Sequence, residues 1–307
     1  MRIPLRPDRR MRCPSAIAAA ASAQETKVAI GISGWTGFAP LTLAKEAGIF
    51  KKNGVDVSIK KIPQKDRHLA IASGDVQCAA TTVETYVVWN ANGVPITQVV
   101  QLDKSYGADG LAVRNNVAKI ADLKGKTVGV DAPGTSPYFG LAWILKKNGL
   151  SMKDVTVATM SPQAAAQAFV AGQNDAAMTY EPYLSIGARQ AGLPARSSRP
   201  RSTIRWSWTR SAARRSSSRT IPKAVKAMVD SYFEALEMIK KDPAKSYEIM
   251  GADVKQTGEQ FAKSAAYLRW QDKAANQQFF TGRIPGVQQG SRRPAARARH
   301  HQSRSRT

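Results

Sequence analysis

From Lys27 onward, short apolar runs of strand character alternate with segments of helical spacing. Lys27–Ile32 is such a run and ends in the turn-rich Ser33-Gly34-Trp35-Thr36-Gly37. A helical pattern covers 40–50 and stops at Gly48, and Val55, Val57 and Ile59 then alternate as a half-buried strand does. A helix at 66–73, a strand at 76–82, a helix at 84–92 and strands at 96–102 and 110–113 follow. Near residue 125 the order restarts. A strand at 127–130 meets the loop 131–137 and a helix to about Asn148, then a strand at 155–159, a helix at 162–171 and a strand at 176–180. Beyond residue 220, apolar spacing predicts helices at 223–239, 243–250 and 257–267. Alternation of this kind predicts parallel sheets with ligand sites at the strand C-termini. The restart predicts two α/β lobes.

Charge at first points elsewhere. The 307 residues carry 46 Lys+Arg against 22 Asp+Glu, a formal net charge of +24. A balance so basic is usual for proteins that bind nucleic acid or membrane surfaces. Its distribution removes that reading. Residues 1–12, 193–219 and 283–307 hold 20 of the 24 arginines, no lysine and one acid, Asp8, for a net of +19. The remaining 243 residues carry 22 lysines, four arginines and 21 acids, a net of +5. Only the second composition resembles a folding domain, and its charge gives no reason to expect a nucleic-acid partner.

Arginine without lysine, mixed with Ser, Pro and Ala, is what out-of-frame reading of a GC-rich gene produces. The genetic code allows a check. When Arg205-Trp206-Ser207-Trp208-Thr209 is reread from each third nucleotide, with Ser207 as TCN, Leu/Met/Val, Val, Leu/Met/Val and Asp appear. Arg297-Ala298-Arg299-His300-His301-Gln302, reread one nucleotide late, permits Glu-Leu-Gly-Ile-Ile-Lys. We therefore read 193–220 and 283–307 as frameshifted, and expect these Arg/Ser-rich stretches to supply no buried strand or helix face. The alternative is a genuine basic linker and tail. Residues 16–23 look like the end of a secretory signal, with an A-x-A type cleavage site before Gln24. The apolar stretch that should precede them is replaced by arginines. Residues 1–24 are read as a disrupted signal peptide.

Little material exists for catalysis. Cys13 and Cys78 are the only cysteines, and two of three histidines, His300 and His301, lie in the odd tail. His68 is expected at the surface, and Cys78 as a small buried strand residue. No P-loop, Ser/His/Asp order or metal-ligand spacing occurs. No cofactor is expected and no enzyme activity.

Five stretches carry a resemblance. They are GWTGFAPLTLAKEAGIFKKNGVDVSIKKI (34–62), SGDVQCAATTVET (73–85), GADGLAVRNNVAKIADLKGKTVGVDAPGTSPYFGLAWILKKNGL (107–150), AAAQAFVAGQNDAAMTYEPYLS (164–185) and IPKAVKAMVDSYFEAL (221–236). In this order they resemble the nitrate/sulfonate/taurine-type periplasmic substrate-binding proteins of ABC transporters. The resemblance covers about 25–192 and 221–282. It implies an α/β, two-lobed, periplasmic-binding-protein-like (type II) clamshell. Lobe 1 would be 25–108 plus 221–282, and lobe 2 would be 109–192. The first crossover would fall near 107–114 and the second within 193–219. The implied function is capture of a small anionic or zwitterionic solute, delivered to a membrane permease by an exported, periplasmic monomer. The rival reading is a pyrimidine-precursor binding or biosynthesis protein on the same fold.

Candidate ligand residues lie where strand ends would converge on the cleft. Ser33, Gly34, Trp35, Thr36 and Phe38 follow the first strand; glycine lets backbone N–H groups approach a ligand, and Trp35 offers an apolar wall with one donor. Thr81, Thr82 and Glu84 stand where a strand ends and a helix begins, as do Gly134, Thr135 and Ser136. Hydroxyls beside free helix N–H groups suit an anionic head, although plain helix capping explains them equally. Asp109 and Glu181 could pair with an amine, or serve as hinge and capping carboxylates. Tyr180 would wall the pocket.

Overall fold

The computed structural model of the chain describes residues 26–190, 209–214 and 220–281. The readings of 1–24, of 283–307 and of most of 193–220 lie outside the described residues. The chain begins with β1 (Thr26–Ile32), α1 (Ala39–Glu46), α2 (Ile49–Lys52), β2 (Val55–Lys61), α3 (Arg67–Ser73), β3 (Cys78–Thr81), α4 (Val83–Ala91) and β4 (Ile96–Ser105). It then enters a second sheet through β5 (Asp109–Val113), β6 (Thr127–Val130), α5 (Ser136–Lys147), β7 (Thr156–Thr159), α6 (Pro162–Val170), β8 (Ala176–Tyr180) and α7 (Tyr183–Gln190). Next come β9 (Thr209–Arg214), α8 (Thr220–Lys241), α9 (Pro243–Ala252), α10 (Gly258–Ala265), β10 (Leu268–Trp270) and α11 (Lys273–Thr281).

Two sheets result, with strand orders β10-β4-β9-β3-β1-β2 and β5-β8-β6-β7. Neither is wholly parallel. β1 pairs in parallel with β2 and β3, whereas β9 is antiparallel to both β3 and β4. In the other sheet β6 is parallel to β7 and β8, whereas β5 is antiparallel to β8. The reason is topological. β1, β3, β6 and β8 run toward the space between the sheets. A strand arriving from the other sheet enters at that space and must run away from it.

Each sheet is covered on both faces, as period-two side chains require. Val28, Ile30 and Ile32 face a core shared with α1, α8 and α9, whereas Ala29 packs on the opposite side with Ile71, Tyr86 and Trp89. In the second sheet Leu111 and Met178 join Leu141 and Leu145, and their strand neighbours Ala112 and Ala177 join Phe169. Full burial of an aliphatic side chain contributes roughly 1.5–3 kcal/mol, so these alternating sets hold the layers in register. The apolar face of α8 includes Val225, Met228, Tyr232, Leu236 and Ile239. Tyr232 is wholly buried, and its hydroxyl donates to the Leu102 and Gln271 carbonyls.

Several expectations need correction. β9 forms inside a segment not expected to supply a strand, and it sits between β3 and β4. Its ladder is made of main-chain groups, which every residue there possesses whatever its side chain. The helical pattern stops at Gly48 as expected, where a φ of 71° leaves the helical region, and residues 49–52 form the separate short helix α2. The chain passes between the sheets at 106–108, which overlaps the 107–114 read as the first crossover, and 109–113 forms β5. His68 is half-buried and packs on Trp89 at 5.9 Å. Cys78, by contrast, is the fully buried strand residue expected, and burial pushes its thiol up to about 12.

Candidate functional site

The ends of β1 and β3, the crossover and the start of α5 meet around one cavity of about 550 Å³, its open mouth included. Ser33, Trp35, Phe38, Thr81, Thr82 and Glu84 line it from the first lobe. Asp109, the first residue of β5, lines it just past the crossover, and Ser136 and Tyr180 close the far side. Gly34, Thr36, Gly134, Thr135 and Glu181 were read as ligand-binding and are not in the lining.

Each of the five has another role. A Cβ on Gly34 would stand 2.1 Å from the Tyr183 hydroxyl, so glycine here lets the lobes approach. The Thr36 amide donates to the Glu181 carbonyl at 3.3 Å, a main-chain link between lobes. Gly134 adopts φ 86° in the turn before α5, beside Val88 of the opposite lobe. The Thr135 hydroxyl donates to the Ala132 carbonyl at 2.8 Å. The Glu181 carboxylate accepts from the Ser185 amide at 3.3 Å and from its hydroxyl, holding the first turn of α7.

Among the lining residues the hydroxyls are organised by Gln64, which sequence reasoning missed. Its Nε2 donates to Thr81 Oγ1 and Thr85 Oγ1, both at 2.8 Å, and its Oε1 accepts from Ser136 Oγ across the cleft at 3.2 Å. Thr82 stands at the N-cap of α4 without a side-chain capping bond, and its hydroxyl contacts Thr85 Oγ1 at 2.9 Å. Trp35 lines the cavity with its donor already engaged. Its indole N–H donates to Asp103 at 3.1 Å, and its ring meets Tyr180 edge-on at 5.4 Å. Gly37 makes this possible, since a Cβ there would lie 2.2 Å from both Asp103 Oδ2 and Trp35 Nε1.

The second missed residue is Arg67, at the start of α3 and 1% exposed. Its Nε donates to the Ile62 carbonyl at 2.8 Å and its Nη1 to the Ala80 carbonyl. Arg67 lines the cavity, and its buried Nη2 has no hydrogen-bond partner. Burial lowers its pKa to about 10, so the guanidinium stays protonated at neutral pH. Asp131 of the second lobe acts on it as a charge, while the Asp131 carboxylate itself accepts from the Ala132 amide at 2.8 Å. A signal for Arg67 did exist: it is one of only four arginines in the lysine-rich part of the chain. Asp109 is the opposite pole. Burial pushes its carboxyl up to about 7, Ser105 opposes the shift by a hydrogen bond, and Glu84 and Glu181 add to it.

Among the described residues no group of His, Cys, Asp and Glu could hold a metal ion, and no helix is long and apolar enough to cross a membrane. The arrangement can bind: a free guanidinium edge, a hydroxyl cluster, an aromatic wall and a carboxylate pole, contributed from both lobes.

Known proteins share this architecture. The taurine-binding periplasmic protein of Escherichia coli (strain K12) is 28% identical over 161 residues, covering 52% of this chain and 50% of that protein. The chain spans about half the length of the curated relatives it matches. The alkanesulfonate-binding protein SsuA from Xanthomonas axonopodis pv. citri, bound to MOPS, superposes with a TM-score of 0.65 at 19% identity, covering 80% of this chain and 86% of that one. The nitrate-binding protein NrtA from Synechocystis PCC 6803 gives a TM-score of 0.64 at 19% identity, covering 78% and 70%. These structural matches establish the two-lobed binding-protein fold. The NMT1/THI5-like family profile spans residues 35–246, across both sheets and the cavity between them, and the chain belongs to that family.

Proposed function

We propose that this protein is the substrate-binding component of an ABC importer, and that it captures a small anionic or zwitterionic solute of the sulfonate, taurine and nitrate class. The observation that carries the reading is Arg67. A buried cation with an unpartnered Nη2 in an interlobe cavity is a binding group without its acceptor. Relatives named for taurine and aliphatic sulfonates supply the chemical class.

The mechanism is binding rather than chemistry. Lobes already linked by Thr36 to Glu181 and by Ser136 to Gln64 are clamped further by a ligand that touches both, and the ligand-bound form docks on a membrane permease. The protein acts as an exported, periplasmic monomer and takes no nucleic acid. A pyrimidine-precursor protein would want histidine or cysteine at the site, and the cavity lining among the described residues contains neither. A thermal-shift screen against taurine, alkanesulfonates, nitrate, bicarbonate and pyrimidines tests the reading. Stabilisation by a sulfonate or nitrate is expected, and stabilisation by pyrimidines alone would overturn it. A salt-dependent DNA shift that survives removal of 193–219 and 283–307 would restore the nucleic-acid reading.

A further inference from the structure

The loop that brings Trp35 and Phe38 to the cavity is gripped by two residues that do not line it, Asp103 and Trp270. Asp103 of β4 and Trp270 of β10 are directly opposed partners in an antiparallel ladder, so their side chains rise on one face of the sheet. Asp103 is wholly buried, and its Oδ2 accepts from the Trp35 indole at 3.1 Å. The Trp270 indole donates to the Gly37 carbonyl at 3.2 Å. One strand pair therefore holds the loop twice, by the side chain of Trp35 and by the main chain two residues on. Gly37 lets the loop lie this close, since a Cβ there would stand 2.4 Å from Asp103 Cγ.

The same loop is where the lobes meet. The Trp35 ring lines the cavity and faces Tyr180 of the second lobe edge-on at 5.4 Å. The adjoining Thr36 amide donates to the Glu181 carbonyl at 3.3 Å. Indole has a single donor, so one acceptor fixes how the ring is turned. Without Asp103 that donor would be buried and unpaired, and the ring would have to turn to satisfy it. Without the Trp270 donor, the main chain between Trp35 and Phe38 loses its tie to β10.

We propose that the Asp103–Trp270 pair is the positioning device of the cavity: it fixes the Trp35 ring and the 35–38 loop in the orientation that binds solute. This rests on the reading of the cavity as a solute-binding site, and adds that affinity depends on two residues outside its lining. Trp35 and Phe38 are wall residues; Asp103 and Trp270 are positioning residues that act through them.

Two readouts on the full-length chain test the inference. One is the nuclear magnetic resonance signal of the Trp35 indole N–H, identified by its loss in Trp35→Phe. The other is calorimetric titration with 2-aminoethanesulfonate, ethanesulfonate and nitrate. Trp270→Phe keeps a ring and removes the donor; it should shift the Trp35 signal and weaken the tightest probe about fivefold. Asp103→Leu should shift the signal further and weaken that probe about 30-fold, and Asp103→Asn, which keeps an acceptor oxygen, should recover most of the loss. Tyr232→Phe separates positioning from mere stability, because it removes the hydroxyl that bonds the Leu102 and Gln271 carbonyls beside the pair. It should lower the urea midpoint and leave the signal unmoved and the affinity within about twofold. If Asp103→Leu does not fold, Trp270→Phe is read alone. An unmoved Trp35 signal overturns the inference, as does affinity within about twofold of the unaltered chain in the folded variants. Equal weakening by Tyr232→Phe and Trp270→Phe also overturns it. If no probe binds the unaltered chain, the solute class of the proposed function falls, and the Trp35 signal with its Tyr232→Phe control still decides the positioning role.

Discussion

The two lobes are built on one plan and contribute different things to the cavity. Each opens a helix beside it after a threonine N-cap, α4 behind Thr82 and α5 behind Thr135, and neither threonine caps through its side chain. The first lobe adds Arg67, Glu84 and the Gln64 hydroxyl network. From the second sheet, Asp109 at the start of β5 is the one charged lining residue, and Ser136, Gly140, Met178 and Tyr180 beside it are uncharged. Repetition of a strand–loop–helix unit thus does not mean repetition of its role. Arg67 and Glu84 line the cavity from one lobe, and Asp109 lines it from the first residue past the crossing.

The largest expected effect lies at the hinge. Asp109 is buried, and its carboxyl titrates at about 7 against an ordinary 3.8. Below about pH 4 folded and unfolded chains both hold the proton, and no stability is lost. Between about pH 4 and pH 7 only the unfolded chain releases it, so stability falls; above about pH 7 the loss is complete, on the order of 4 kcal/mol. Glu84 and Glu181 are the acids that face it. Asp109→Asn should therefore raise the ligand-free Tm by several degrees at pH 8 and leave it nearly unchanged at pH 4. A Tm gain of equal size at both pH values would remove charge as the cause.

Arg67→Gln tests the asymmetry directly. Loss of a buried charged donor should weaken sulfonate binding about 100-fold, measured by calorimetry, with urea unfolding as the control for stability. Next comes Gly34→Ala, whose new methyl meets the Tyr183 hydroxyl across the lobes. About tenfold weaker binding is expected, partly restored by adding Tyr183→Phe. The smallest effect belongs to Ser136→Ala in the second lobe. It removes one neutral hydrogen bond, to Gln64, and should cost about threefold. A Ser136→Ala loss as large as that of Arg67→Gln would break the comparison between lobes.

Much of the fold was legible because period-two and helical spacing report burial directly. β6 and β8 have the bounds that the apolar pattern predicts, and α8 follows from its amphipathic face. α7, β10 and α11 escaped notice. β10 has only three residues, too few to show a period, and α11 buries little beyond Asn276. That asparagine pairs with the main chain of Gln101, a contact spanning 175 residues that no local pattern announces. β9 was hidden for a different reason: its place in the sheet is held by main-chain pairing with β3 and β4.

The site divides in the same way. Loops after strands pointed to Ser33, Trp35, Phe38, Thr81, Thr82, Glu84, Asp109, Ser136 and Tyr180, because the chain direction of a strand fixes which end its loop occupies. Sequence alone also established that the +24 charge is concentrated outside the patterned core. Tertiary structure decided which of those residues line the cavity and which link the lobes. It turned Glu181 toward Ser185, committed the Trp35 N–H to Asp103, and placed Arg67 in the cavity wall with one edge free. Those outcomes depend on partners that the tertiary fold brings together, and the burial that shifts Arg67 and Asp109 exists only in the folded chain.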